Sequence, residues 1–127
     1  MKRSSFTVLL LLLLTSLFPC VAALAFDIKA GPIYHQGEAN EKCPNVCQWY
    51  NGWNGNWTTI QWGGMSVCGC NSGLASSNPY DKNAGPIAND AEAATKCVAP
   101  CQYYGGWAGV WRDITPNVMS VCQCYTQ

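Results

Sequence analysis

Met65-Ser66-Val67-Cys68-Gly69-Cys70 returns 54 residues later as Met119-Ser120-Val121-Cys122-Gln123-Cys124. Side chains alternate across a strand, so Ser66, Cys68 and Cys70 share one face and Met65, Val67 and Gly69 the other. Upstream of each copy stands a second cysteine pair spaced C-x3-C, Cys43 with Cys47 and Cys97 with Cys101. Cysteines four apart share a helix face. Bonding within either short pair would strain the disulfide, so the spacing predicts two bridges per copy that staple a helix to a strand. Two connectivities satisfy it. The favoured one joins Cys43 to Cys70 and Cys47 to Cys68, with Cys97 to Cys124 and Cys101 to Cys122 in the second copy; the other exchanges the partners. Zinc ligation is the rival use, but C-x3-C with C-x-C is not the common C-x2-C zinc spacing.

The 54-residue shift superposes most of the chain on itself without a gap. Ala30-Gly31-Pro32-Ile33 becomes Ala84-Gly85-Pro86-Ile87, Lys42-Cys43 becomes Lys96-Cys97, and Trp53 and Trp57 become Trp107 and Trp111. A fixed period of this kind marks repeated modules. Residues 26–73 form one module and 80–127 the other, joined by a turn-rich linker over 74–79. Modules this small bury too little surface to stand without staples or a docked copy.

Within a module, Phe26 to Ala30 reads as a short strand that stops at Gly31-Pro32. Asp90 is the expected N-cap of the second helix, followed by the helix formers Ala91 to Ala94. Pro44 and Pro100 forbid one smooth helix through the cysteines, which predicts a kinked or split helix. Asn54 to Trp62 and Met65 to Asn71 form a hairpin, turning at Gly63-Gly64 and, in the second copy, at Pro116-Asn117. With the cysteine face bolted to the helix, Met65 and Val67 need cover, which the other module or a second chain would supply.

Ahead of the modules, Met1-Lys2-Arg3, the apolar run Val8 to Leu14 and Ala23-Leu24-Ala25 have the three parts of a secretory signal spanning residues 1–25. The apolar run is shorter than a membrane span, and Cys20 leaves with the signal. The mature chain is therefore expected outside the cytoplasm, extracellular or periplasmic, where disulfides persist. Losing Lys2 and Arg3 from the seven basic residues leaves five against seven acidic ones, a formal charge of −2. No basic stripe exists, which disfavours nucleic acid or an anionic membrane as partner.

The chemistry lies in Gly52-Trp53-Asn54-Gly55-Asn56-Trp57-Thr58-Thr59-Ile60 and its echo Gly106-Trp107-Ala108-Gly109-Val110-Trp111-Arg112-Asp113-Ile114. Indoles among glycines and short polar side chains suit a ligand with one apolar face and several hydroxyls. The competing reading is that the rings are core of a secreted disulfide-rich structural or protein-interaction module. An enzyme is disfavoured. His35 becomes Asn89 in the second copy, no nucleophile motif accompanies it, and Glu38 and Glu92 sit where a helix dipole wants acids.

The ordered words A-G-P-I, E-A, G-x-W-T-T-I and M-S-V, most of them duplicated, resemble the MVL-type mannan-binding lectin family over almost the whole mature chain. The resemblance implies an α+β fold of two homologous modules, each a three-stranded antiparallel sheet with one helix. It also implies a homodimer and calcium-independent, cofactor-free binding of mannan or the core of high-mannose N-glycans, with this chain as a disulfide-bearing branch. The family's A-G-P-L-W-S-N word falls on Ala30 to Gln36, giving Tyr34, His35 and Gln36 as sugar contacts. In the second copy it falls on Ala84 to Asp90, giving Asn89 and Asp90 but Ala88 where a ring is wanted. G-Q-W-T-T falls on Gly55-Asn56-Trp57-Thr58-Thr59 and on Gly109-Val110-Trp111-Arg112-Asp113. The first site is nearly complete and the second lacks a ring and an amide. Asn56-Trp57-Thr58 is also an N-glycosylation sequon, and a glycan there would sit inside the first site.

Overall fold

The computed structural model describes residues 26–126; the expected signal segment, residues 1–25 with Cys20, lies outside them. The first module runs β1 (Phe26–Gly31), α1 (Gln36–Val46), β2 (Trp53–Gln61), β3 (Met65–Cys70). The second repeats that order as β4 (Asp81–Gly85), α2 (Asp90–Lys96), α3 (Val98–Cys101), β5 (Trp107–Thr115), β6 (Met119–Cys124). Each module is an antiparallel three-stranded sheet, ordered β1-β3-β2 and β4-β6-β5. The architecture is the expected α+β pair of modules.

The cysteines pair as Cys43–Cys68, Cys47–Cys70, Cys97–Cys122 and Cys101–Cys124. Helix-to-strand stapling holds, but the favoured partners Cys43–Cys70 and Cys47–Cys68, and their second-copy equivalents, are corrected. The reason is direction. The chain reverses through the short turn after β1, so α1 runs against β1 and therefore along β3, which is antiparallel to β1. Cys43 then lies level with Cys68 and Cys47 with Cys70. All eight cysteines among the described residues are consumed, leaving no thiolate among them for zinc.

Proline acts differently in the two copies. α1 continues through Pro44, held on both sides by the bridges at Cys43 and Cys47. In the second copy the helix splits at Cys97, because the Pro100 ring collides with the carbonyl four residues back, at Lys96, where α2 ends. The expected N-cap Asp90 is also corrected. Asn89 caps α2, its Oδ1 accepting from Glu92 N at 3.0 Å, as His35 caps α1. The hairpin turns sit where expected, with Gly63 and Asn117 both in the left-handed region at φ +70° and +59°.

Each core is built from half-cystines and small residues. Around Cys43, Cys47, Cys68 and Cys70 pack Ile28, Ala30, Ile33, Ala39 and Tyr50; the second core has the same plan with Ala84, Ile87, Ala93 and Tyr104. Val67 and Val121 are buried too, outside both clusters. The chain itself covers them, so a second chain is not needed for that purpose.

The modules interlock through reciprocal exchange. Tyr50 Oη accepts from Asn83 N on β4 at 3.1 Å, and Tyr104 Oη accepts from Lys29 N on β1 at 3.0 Å. The residue before each tyrosine lies over a glycine of the other module. A Cβ at Gly85 would stand 2.7 Å from Trp49 Cζ2, and one at Gly31 would stand 2.7 Å from Tyr103 Oη. Aromatics of each module thus close the free edge of the other's first strand, which would otherwise present unpaired amides.

Burial raises the pKa of both tyrosines, since it penalises the phenolate; the backbone amide each accepts from pulls the other way without prevailing. A raised folded pKa gives stability that is complete below the unfolded value of 10.0 and is lost as pH climbs toward the folded one. Lys82 has the opposite sign. Burial first, then the charge of Lys29, lowers its pKa from 10.5, so its contribution rises with pH and is finished by that value. Above pH 10.5 only the tyrosine effect remains, at up to about 1.4 kcal/mol per pH unit for each ring. Thermal melting across pH 9 to about 12 should show a steep alkaline fall that a Tyr50→Phe, Tyr104→Phe chain flattens; equal slopes would contradict the assignment.

Candidate functional site

In β2 the ladder skips: Trp53 pairs with Cys70 and Trp57 with Cys68, so Asn54-Gly55-Asn56 faces the lone Gly69 and bulges outward. Gly55 sits at φ +89°, a conformation that favours glycine. Trp53 fastens this bulge, its indole donating to Asn56 O at 2.7 Å, while Asn54 Oδ1 accepts from Asn56 N at 2.9 Å. Trp53 is therefore a structural lock. Asn56 and Thr58 are exposed along the rim.

Trp57 is half-buried against the first core, and its Nε1 donates to Gln36 Oε1 at 3.0 Å. Gln36 in turn donates to Asn40 Oδ1 at 2.9 Å. The indole is thereby tied to the first turn of α1, two residues from Tyr34. Tyr34 is 53% exposed and meets Trp62 edge to face, with centroids 6.5 Å apart and an interplanar angle of 89°. His35 and Thr59 serve the fold: His35 Nδ1 caps the helix by accepting from Glu38 N at 3.4 Å, and Thr59 Oγ1 lies 3.4 Å from Ser66 Oγ. Glu38 Oε2 accepts from Tyr34 N at 3.0 Å, as Glu92 does from Ala88 N. That backbone bond is the main cause of the lowered pKa of Glu92, with Lys96 adding to it. Both glutamates thus complete helix caps.

In the second copy Asn89, Arg112 and Asp113 are bonded to residues outside the predicted set. Trp111 Nε1 donates to Asp90 Oδ1 at 2.8 Å, repeating the Trp57 tie with a carboxylate in place of an amide. Ser120 Oγ donates to Asp113 Oδ1 at 2.5 Å. Arg112 pairs with Asp81, which is only 1% exposed, and also donates to Ser76 Oγ of the linker at 3.2 Å. Asn89 is the α2 cap. Ala88, Val110 and Pro116 stand where the first copy has Tyr34, Asn56 and Trp62.

A model of the mannan-binding protein family, MVL, matches residues 36–70, the stretch from α1 to the end of β3. Lectin MVL of Microcystis viridis is 32% identical over 109 residues, an alignment covering 81% of this chain and 96% of the lectin. The chain belongs to the MVL family.

As an MVL-family chain it presents two versions of one surface, an open one on the first module and one cross-linked by its own side chains on the second. Sequence reading missed Trp62. Its signal was a ring placed beside Gly63-Gly64 in a turn, where nothing can bury it, and at 81% exposure it is the most open large hydrophobic residue described. A cavity of about 420 Å³ at the module seam, walled by Trp49, Tyr50, Asn83, Pro100 and Tyr103 among others, includes none of the predicted sugar contacts. Its walls are the interlocking rings of the two modules, whereas Tyr34, Asn56 and Thr58 are exposed on the first module.

Proposed function

We propose that the chain is a secreted lectin that binds mannan and the mannose-rich core of N-glycans without calcium, and that it is not an enzyme. Membership of the MVL family, whose described relative is a lectin, carries this reading. The first module supports it physically. Tyr34, Gln36, Asn56, Trp57 and Thr58 supply rings for the C–H face of a pyranose, with amide and hydroxyl groups beside them for its hydroxyls. Among the described residues no three acidic, histidine or cysteine side chains converge as a metal site would need, and both recurring glutamates are occupied as caps. Secretion rests on the leader-like residues 1–25 and fits the four disulfides. A homodimer would raise effective affinity by presenting more than one site.

The two modules are expected to bind unequally. Isothermal titration of the mature protein with an oligomannoside on a chitobiose core should give one strong event per chain, the second site being more than about tenfold weaker for lack of a ring and an amide. Two equal, independent sites per chain would refute the inequality; no heat and no retention on immobilised mannan would refute the lectin.

A further inference from the structure

We propose that Trp62 and Tyr34 form a second sugar subsite of the first module, an aromatic corner that takes an outer mannose of an oligosaccharide already held at Trp57. The inference rests on the lectin reading above and extends it to a residue outside the family words.

A surface indole that is 81% exposed gains nothing from the core and leaves a large apolar area in water. Trp62 touches Tyr34, itself 53% exposed, at 89°. Two perpendicular rings with open faces form a corner, and a pyranose seated in it meets one ring with its C–H face and the other with its edge. Tyr34 lies two residues from Gln36, which anchors Trp57, so the corner is continuous with the primary site. Trp62 stands five positions after Trp57, in the turn just past the end of β2 at Gln61, a chain path of up to about 15 Å at roughly 3.3 Å per residue. That span exceeds one pyranose ring, so a ligand touching both indoles is an oligosaccharide. The second module offers a control within the same chain, because both corner residues are lost together there, as Ala88 and Pro116. The exposed Ile60 nearby makes self-association the rival use of the patch.

The test uses the mature protein with intact disulfides, titrated with the N-glycan core of three mannoses and two N-acetylglucosamines, then with the same glycan trimmed one sugar at a time. Trp62→Ala should weaken binding of the full core roughly five- to tenfold and leave the shortest fragment still bound by the parent unaffected. Trp62→Tyr should recover most of the loss. A far-ultraviolet spectrum and melting temperature equal to the parent's show that the fold is intact. Equal weakening at every ligand length, or no weakening at any, overturns the subsite while leaving the lectin standing. A parent dimer that Trp62→Ala turns into a monomer in sedimentation also overturns it, assigning the ring to self-association. A parent that binds none of these glycans takes down the lectin reading and the subsite with it.

Discussion

Reduction of the four disulfides should unfold both modules at room temperature. Each bridge joins residues 25 or 23 apart, and closing a loop of that size in the unfolded chain is worth about 3.5 kcal/mol. Four such bridges approach the whole net stability of an ordinary domain, about 5–15 kcal/mol. Little else would remain to hold the helices. α1 buries only Ala39 and Cys43, and α2 only Ala93, so removal of the half-cystine links leaves each helix with almost no apolar face. Circular dichroism and tryptophan emission in a phosphine reductant would measure the loss. A reduced chain that keeps its native near-ultraviolet spectrum would show that the sheets need no staples. Replacing one pair, Cys47→Ala with Cys70→Ala, should cost about a quarter of the total.

The second large effect is expected from one methyl group at the seam. Gly85 has φ +73° and a Cβ there would lie 2.7 to 2.9 Å from three indole atoms of Trp49. Gly85→Ala therefore adds left-handed backbone strain of about 1–2 kcal/mol to an overpacking cost of about 1–3 kcal/mol. The indole can escape only by swinging away from β4, which strips the cover from that strand. Urea melts should show a loss of about 3 kcal/mol. In a Trp49→Ala background the clash is gone and only the strain remains, so the double variant should be at least about 1 kcal/mol more stable than the two single losses predict. Strict additivity would mean that ring and glycine do not meet.

Much of this arrangement was legible from the residues. The 54-residue echo and the two cysteine spacings yield two modules with a helix stapled to a strand, and the alternation around Cys68 and Cys70 identifies the stapled face. Partner choice was not legible from spacing, because i, i+4 against i, i+2 fits either connectivity equally well. It becomes legible only when helix direction is followed through the turn after β1. Asn89 lost the capping role to Asp90 in the sequence because both are good caps; the repeat matched Asn89 with His35, but histidine is not a favoured cap and the match carried no capping signal. At the candidate site, Tyr34, Gln36 and Trp57 were found through short words shared with a family. Arg112 and Asp113 carry the same words but are drawn into bonds with Asp81 and Ser120, long-range partnerships that no local motif reports. Trp62 escaped because it belongs to no word.

The reciprocal seam couples the fates of the two halves. Neither first strand has its outer edge closed until the opposite half has delivered its tyrosine, so a half on its own is an unfinished object. The short connection over residues 74–79 makes delivery intramolecular, keeping each tyrosine at a high local concentration near its target. Loss of order in one half is therefore expected to propagate to the other, so that calorimetry should record a single cooperative transition.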